Sequence, residues 1–229
     1  MSPHASAAAS AVGVINQAVA VHGSCSLALS GGSTPVPFHR LLATEFAEQV
    51  PWGNVHVFWG DERYVPHSDA RSNYGMARRT LLDHVPCPSE NIHPMPTSGP
   101  SSSDAALEYE HTLRKHFSGG VPRFDLMVLG IGRDGHTASL FPHSPALREK
   151  SRWVLAVTAE ADVRQRLTLT LPVITRAVHT FVIVTGAEKA AAVELARSAR
   201  TDPADCPAAA LQKSEGEVAW WLDAAAAGH

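Results

Sequence analysis

The sequence predicts an α/β fold, a doubly wound and mostly parallel sheet with helices on both faces. Three observations lead there. Short β-branched apolar runs recur along the chain, segments with helical spacing separate them, and the runs are continuously apolar rather than alternating, as strands covered on both faces must be. In chain order, the Ala-rich start MSPHASAAAS lacks the basic and apolar regions of a secretory signal and reads as a frayed lead-in to a helix. SLALS before Gly31 and VHVFW before Gly60 are the first strands, with a helix from Pro37 to Phe46 between them and another from Asn73 to Leu82 behind. A helix beginning at Ala106 leads to the strand FDLMVL before Gly130. WVLAV from Trp153 and HTFVIV before Thr185 are further strands, and AEKAAAVELARSA from Ala187 is helical. GEVAWWLDAAAA supplies a last strand and a frayed helical end. Cys87 to Ser103 is a Pro- and Ser-rich loop, and Thr201 to Pro207 is a weaker one; neither has the character of a domain linker, so residues 1–229 are expected to form one α/β domain.

Composition narrows the class. The chain has 229 residues, 45% apolar and 18% charged, and no apolar run reaches the roughly 20 residues of a bilayer-spanning helix, so no membrane partner is expected. A net charge of -3 gives no global basic field, which argues against nucleic acid. Cys25, Cys87 and Cys206 are odd in number and widely spaced, with no C-x-x-C pair, which suits reduced thiols in a cytoplasm. His4, His22, His39, His84, His111, His116 and His179 lie in no ligand-like spacing and no H-E-x-x-H occurs, so neither a metal nor another cofactor is expected.

The polar motifs gather where strands end, which is where open α/β sheets hold ligands. LALSGGSTP runs a strand into Gly31, Gly32, Ser33, Thr34 and a helix-opening proline. Backbone N–H groups and a helix dipole would make this an anion cradle; the plainer reading is a turn capped by Ser33 or Thr34. FWGDERYVP sets Asp61, Glu62 and Arg63 directly after a strand, and RSNYGM follows with Arg71 and Asn73 at a helix start; a solvated loop with an internal ion pair is the alternative. LGIGRDGHTASLFP contains a formal G-x-G-x-x-G at Gly130, Gly132 and Gly135. A dinucleotide site needs a long helix opening at the third glycine, and Pro142 and Pro145 interrupt it. The stretch is better read as a loop presenting His136 at a strand end, with Asp134 near enough to orient it. Arg164 and Arg166 precede a Thr/Leu alternation, and Gly186 and Lys189 stand at a strand-to-helix junction, where cations suit a phosphate.

Taken together, SGGSTP, DERYVP, RSNYGM, LGIGRDGHTASLFP, RLTLTLP and TGAEKA resemble, in order and approximate spacing, the 6-phosphogluconolactonase family, itself similar to the glucosamine-6-phosphate deaminases. The match runs from about Leu27 to the C-terminus. The resemblance implies cofactor-free hydrolysis of 6-phospho-D-glucono-1,5-lactone to 6-phospho-D-gluconate in the oxidative pentose phosphate pathway, by a monomer or small homo-oligomer. One departure separates the related activities: where deaminases carry a glutamate after Asp-Gly-His, this chain has Phe141, which can neither accept a proton nor orient an imidazole. A deaminase or isomerase with a rearranged relay is therefore the nearer alternative, and a non-catalytic sugar-phosphate-binding regulatory domain the more distant one.

On the lactonase reading, the phosphate docks on Gly31, Gly32, Ser33 and Thr34, with Arg166 and Lys189 adding positive charge and Asn73 nearby. His136 takes a proton from the attacking water, a role worth typically about 10²–10⁴ in rate. Asp134 and Asp61 orient the base, the water or sugar hydroxyls. Arg63 or Arg71 meets the oxyanion, where a well-placed donor contributes about 2.7–4 kcal/mol.

Overall fold

The computed structural model describes residues 2–118 and 120–229. Its strands are β1 (Cys25–Leu29), β2 (Val55–Trp59), β3 (Asp61–Arg63), β4 (Leu126–Leu129), β5 (Val154–Thr158), β6 (Gln165–Leu169), β7 (His179–Val184) and β8 (Glu217–Leu222). Its helices are α1 (Pro3–His22), α2 (Val36–Ala43), α3 (Asn73–Thr80), α4 (Ser102–His116), the single turn α5 (Leu171–Ile174) and α6 (Ala190–Arg197). The central sheet has five parallel strands in the order β2-β1-β4-β7-β8. Every residue of β1 and β4 is buried, which explains why their sequences are apolar without alternation: layers cover both faces.

α1 supplies one of those layers. Ser2 caps it by accepting the Ala5 N–H, Pro3 opens its first turn, and Gly23 closes it at φ 79°. Ala7, Ala8, Ala11, Val12, Ile15 and Ala18 form its buried stripe, packed over β1, β4, β7 and β8. The expected frayed lead-in is thus a complete helix from Pro3, because a serine cap and an N1 proline stand at its start. By length and mean hydropathy alone, 1.2 over its apolar window, α1 has the composition of a membrane span; a third of that window is buried in the fold.

A second, smaller sheet departs from the expected pattern. β3, β6 and β5 pair antiparallel in that order, so WVLAV belongs to this sheet and not to the parallel one. The 159–164 connection between β5 and β6 is too short for a crossover helix and closes a hairpin instead, with Ala159 N–H donating to Arg164 O at 2.7 Å. The Thr/Leu alternation from Arg166 is β6, buried at Leu167 and Leu169. α4 lies against β5 and β6 and begins earlier than Ala106, because Ser101 accepts the Asp104 N–H as its cap. Its buried Glu110 accepts from Trp153 N, Arg152 Nε and Arg114 Nη2, fastening helix to strand.

The chain leaves β1 toward β2 on one side, while β4 lies on the other. Strand order therefore reverses beside β1, and the crevice at the carboxyl ends of β1 and β4 is where such sheets bind ligands. The small sheet stands against that crevice, because β3 follows β2 directly through Gly60.

Candidate active site

A cavity of about 490 Å³ opens at those carboxyl ends. The loops after β1, β4 and β7 form one wall, and β3 with β6 the other. Of the residues singled out in sequence, Gly31, Gly32, Ser33, Thr34, Asp61, Arg63, Asn73, His136, Arg166 and Lys189 line it. Asp134 lines a second hollow of about 910 Å³ that shares His136, Arg63 and Arg166 with the first. The imidazole therefore stands at the junction of the two.

His136 is held by its own loop. Gly132 N–H donates to His136 O at 2.8 Å, and Gly135 N–H to Gly132 O at 3.1 Å, closing a tight turn directly after β4. A Cβ on Gly132 would overlap the His136 ring, so glycine is what lets the ring fold back over the turn. His136 Nδ1 lies 2.6 Å from Asp134 Oδ1, which also accepts the His136 backbone N–H at 3.2 Å. That contact assigns the proton to Nδ1 and leaves the Nε2 lone pair free. Burial pushes the Asp134 carboxyl up, but the facing imidazole and the N–H donors outweigh it and hold the group below the usual carboxylate range. Phe141 packs against the imidazole, ring centroids 4.7 Å apart, and the Arg166 guanidinium lies 5.9 Å from the centre of the same phenyl ring. The formal G-x-G-x-x-G thus ends in a turn and an isolated Thr137–Leu140 bridge, and no helix opens at Gly135.

The opposite wall is a network of polar groups. Asp61 is buried at 6% exposure, its Oδ2 accepting from Ser139 Oγ at 2.6 Å and its Oδ1 from Asn73 Nδ2 at 3.1 Å. Asn73 accepts in turn from Arg63 Nη1, which also donates to Arg71 O at 2.9 Å. Arg63 and Arg166 are register partners on β3 and β6, so the antiparallel pairing sets two guanidinium groups side by side. Burial first, and then the nearby Arg63, draw Arg166 below its ordinary value, against the pull of Asp61 and Glu62. Such a pair attracts an anion more strongly than either arginine alone.

Neither Ser33 nor Thr34 caps α2; Pro35 occupies the cap position without a side-chain bond, and the first helical turn closes through Pro35 O. Asn73 crowds Gly31 so closely that a Cβ there would overlap its amide. Arg71 is not brought into this assembly. Its guanidinium turns outward to Asp69 at 2.7 Å and Asp162 at 3.2 Å, because its place just before α3 sends side chain and carbonyl in opposite directions, and only the carbonyl reaches Arg63.

Several lining residues escaped sequence reasoning. Arg133 and Glu188 line the cavity, and Ser139 holds Asp61 from behind it. Glu62, which the sequence sets beside Asp61 without a role of its own, does not line the cavity; it is wholly buried and accepts from Asn73 N, Tyr74 N and Ser72 Oγ, the start of α3. The only sequence signal for Ser139 was its place in the loop that carries His136. Among the described residues, the one grouping of three metal-ligating side chains with converging donor atoms, His56, His93 and His116, lies at the other end of the sheet.

An open parallel sheet with a crevice at its switch point, one wall a glycine-rich loop and the other an arginine pair, defines an α/β protein whose cavity gathers positive charge beside an oriented imidazole. Residues 3–220 match the family model described as glucosamine-6-phosphate isomerases/6-phosphogluconolactonase, and the chain belongs to that family. It is 44% identical to 6-phosphogluconolactonase of Synechocystis over 91% of this chain and 86% of that one. With the Mycobacterium tuberculosis 6-phosphogluconolactonase the identity is 43%, covering 94% and 89%. Among solved structures, 6-phosphogluconolactonase from Trypanosoma brucei superposes with a TM-score of 0.85 at 30% identity, covering 99% of this chain and 94% of that one.

Proposed function

We propose that this protein is a lactonase that hydrolyses 6-phospho-D-glucono-1,5-lactone to 6-phospho-D-gluconate, with His136 as the general base. The observation that carries the reading is the 2.6 Å contact between His136 Nδ1 and Asp134, which frees Nε2 at a cavity whose far wall is cationic. The names of the relatives, 6-phosphogluconolactonases at 43–44% identity, support the same substrate. The hydrophobic core, continuous from Ala7 to Ala226, supports reading residues 1–229 as one lactonase domain. Three free cysteines suit a cytoplasmic setting.

In the proposed sequence of events, the phosphate rests on Gly31, Gly32, Ser33 and Thr34, with Lys189 and Arg166 balancing its charge. Water attacks the lactone carbonyl carbon as His136 Nε2 accepts its proton. Arg63 faces the oxygen on which negative charge develops, a role that Arg71, turned to Asp69 and Asp162, does not share. Collapse of the tetrahedral adduct breaks the bond to the ring oxygen, and the imidazolium returns its proton there, leaving a carboxylic acid and a hydroxyl. Asp61, fixed by Ser139 and Asn73, holds a sugar hydroxyl or the water. Phe141 packs on the imidazole where a proton relay would need a carboxylate, which favours hydrolysis over deamination.

The test is acid release from freshly prepared 6-phosphogluconolactone, corrected for spontaneous hydrolysis. His136→Ala should lose about 10²–10⁴ in kcat. Lys189→Ala should chiefly raise KM, because the phosphate is remote from the bond that breaks. Equal rates for wild type and His136→Ala would remove the base, and an unchanged KM would remove Lys189 from the phosphate site.

A further inference from the structure

At the amino end of the sheet, remote from the cavity, three imidazoles converge. His56 is the second residue of β2 and pairs in register with Ser26 of β1. His93 follows the turn Ser89–Asn91, and its backbone N–H donates to Val57 O at 2.8 Å. His116 is the last residue of α4. A nitrogen of each ring lies within 4.8 Å of one on the other two, and His56 Nδ1 is 3.1 Å from His93 Nε2. Nitrogens around a tetrahedral zinc ion, with bonds of about 2.0–2.1 Å, stand about 3.3 Å apart, so small ring rotations bring this trio to that spacing.

Packing alone does not account for the arrangement. Phe58 backs the cluster, its ring centroid 4.5 Å from that of His93 and 4.9 Å from that of His116, and hydrophobic side chains would serve that contact equally well. Among the described residues, the only side-chain hydrogen bond the three rings make is the one between His56 and His93. Histidine binds a metal as the neutral imidazole, through a ring nitrogen that carries no proton. Asp125 supplies negative charge near His116, and a hollow of about 320 Å³, lined by His116 of the three and by Asp125 and Arg123, borders the cluster on that side.

We propose that His56, His93 and His116 bind a divalent first-row transition-metal ion of the zinc type through three imidazole nitrogens, with water completing the shell. Imidazole suits zinc, cobalt(II), nickel(II) and copper(II) and disfavours magnesium and calcium, which take oxygen. The ion ties together the edge strand β2, the loop after Ser89–Asn91 and the C-terminus of α4, three segments far apart in sequence. Its role is structural, and lactone hydrolysis in the remote cavity proceeds without it.

The test uses tag-free protein stripped with a chelator and titrated with zinc chloride by calorimetry, beside the visible spectrum with cobalt(II). Wild type should bind a single equivalent with an affinity on the order of micromolar or better, with a zinc-dependent rise in Tm. Loss of one partner that merely orients a ligand already costs about 10–100-fold in affinity, so His93→Ala and His116→Gln should each lose at least that much. His136→Ala should bind as wild type does. Circular dichroism of metal-free variants separates lost ligation from lost folding, and the half-buried His116→Gln serves if His93→Ala unfolds. Absence of stoichiometric binding to wild type, or equal binding by wild type and both cluster variants, would overturn the site. Neither outcome touches the lactonase reading, which the acid-release assay tests separately.

Discussion

Gly132 shows how a single atom's space decides what the site can do. A Cβ there would overlap both the His136 ring and the Asp134 carboxylate, so any larger residue pushes the imidazole off its carboxylate. Gly132→Ala should lower kcat about 10²-fold, since misplacement of a reacting group by 1 Å has that effect, while far-UV circular dichroism stays unchanged. A kcat equal to wild type would show that the ring's position is immaterial. The pairing of Asp134 with His136 was legible because the two are near neighbours in sequence, within the reach of a turn. The difference between Arg71 and Arg63 was not. Both are arginines in the stretch between β2 and α3, and only the fold turns one to the cavity and the other to Asp69.

At the scale of elements, the start of α3 is where the cavity wall and the stability of the fold meet. The Glu62 carboxylate accepts two N–H groups of its first turn and the hydroxyl of its cap, Ser72, which in turn accepts the Gly75 N–H. This holds Asn73 against Asp61 and Arg63. Burial raises the Glu62 carboxyl, and four hydrogen bonds pull it back only in part. Glu62→Gln replaces one acceptor oxygen with an amide donor facing N–H groups. It should cost about 1–3 kcal/mol in urea unfolding and raise KM by loosening Asn73 and Arg63. A variant with wild-type stability and KM would show that α3 needs no buried anchor. The β3–β6 pairing that sets Arg63 beside Arg166 was invisible in sequence, because DER is too short for a strand signal and Arg166 lies far along the chain.

For the whole molecule, acid should be the weakness. His39 on α2 is wholly buried, its Nδ1 3.0 Å from Thr80 Oγ1 and its Nε2 without a hydrogen-bond partner among the described residues, and burial lowers it to about 4. The unfolded chain takes up this proton near pH 6.5 and the folded chain resists until about pH 4. Stability from the neutral ring is therefore complete above the unfolded value and is lost as pH falls through that window. The loss amounts to about 3 kcal/mol at its limit, by the worth of a pKa unit. His39→Leu should flatten the fall in urea stability between pH 6.5 and 4, as Thr80 Oγ1 keeps its bond to Met76 O. An unaltered pH profile would show that His39 is not the group that acid attacks.

The sequence by itself determined the layered α/β class, the positions of the parallel strands and the loops that carry His136, Lys189 and the glycine cradle. It could do so because burial on both faces imposes continuous apolar runs, and because a strand-to-loop junction is a local event. Only the tertiary structure decided that WVLAV pairs antiparallel in a second sheet, that Arg63 and Arg166 stand together and that His56, His93 and His116 meet. Those outcomes depend on pairing and packing between distant segments, which leave no periodicity in either partner to read.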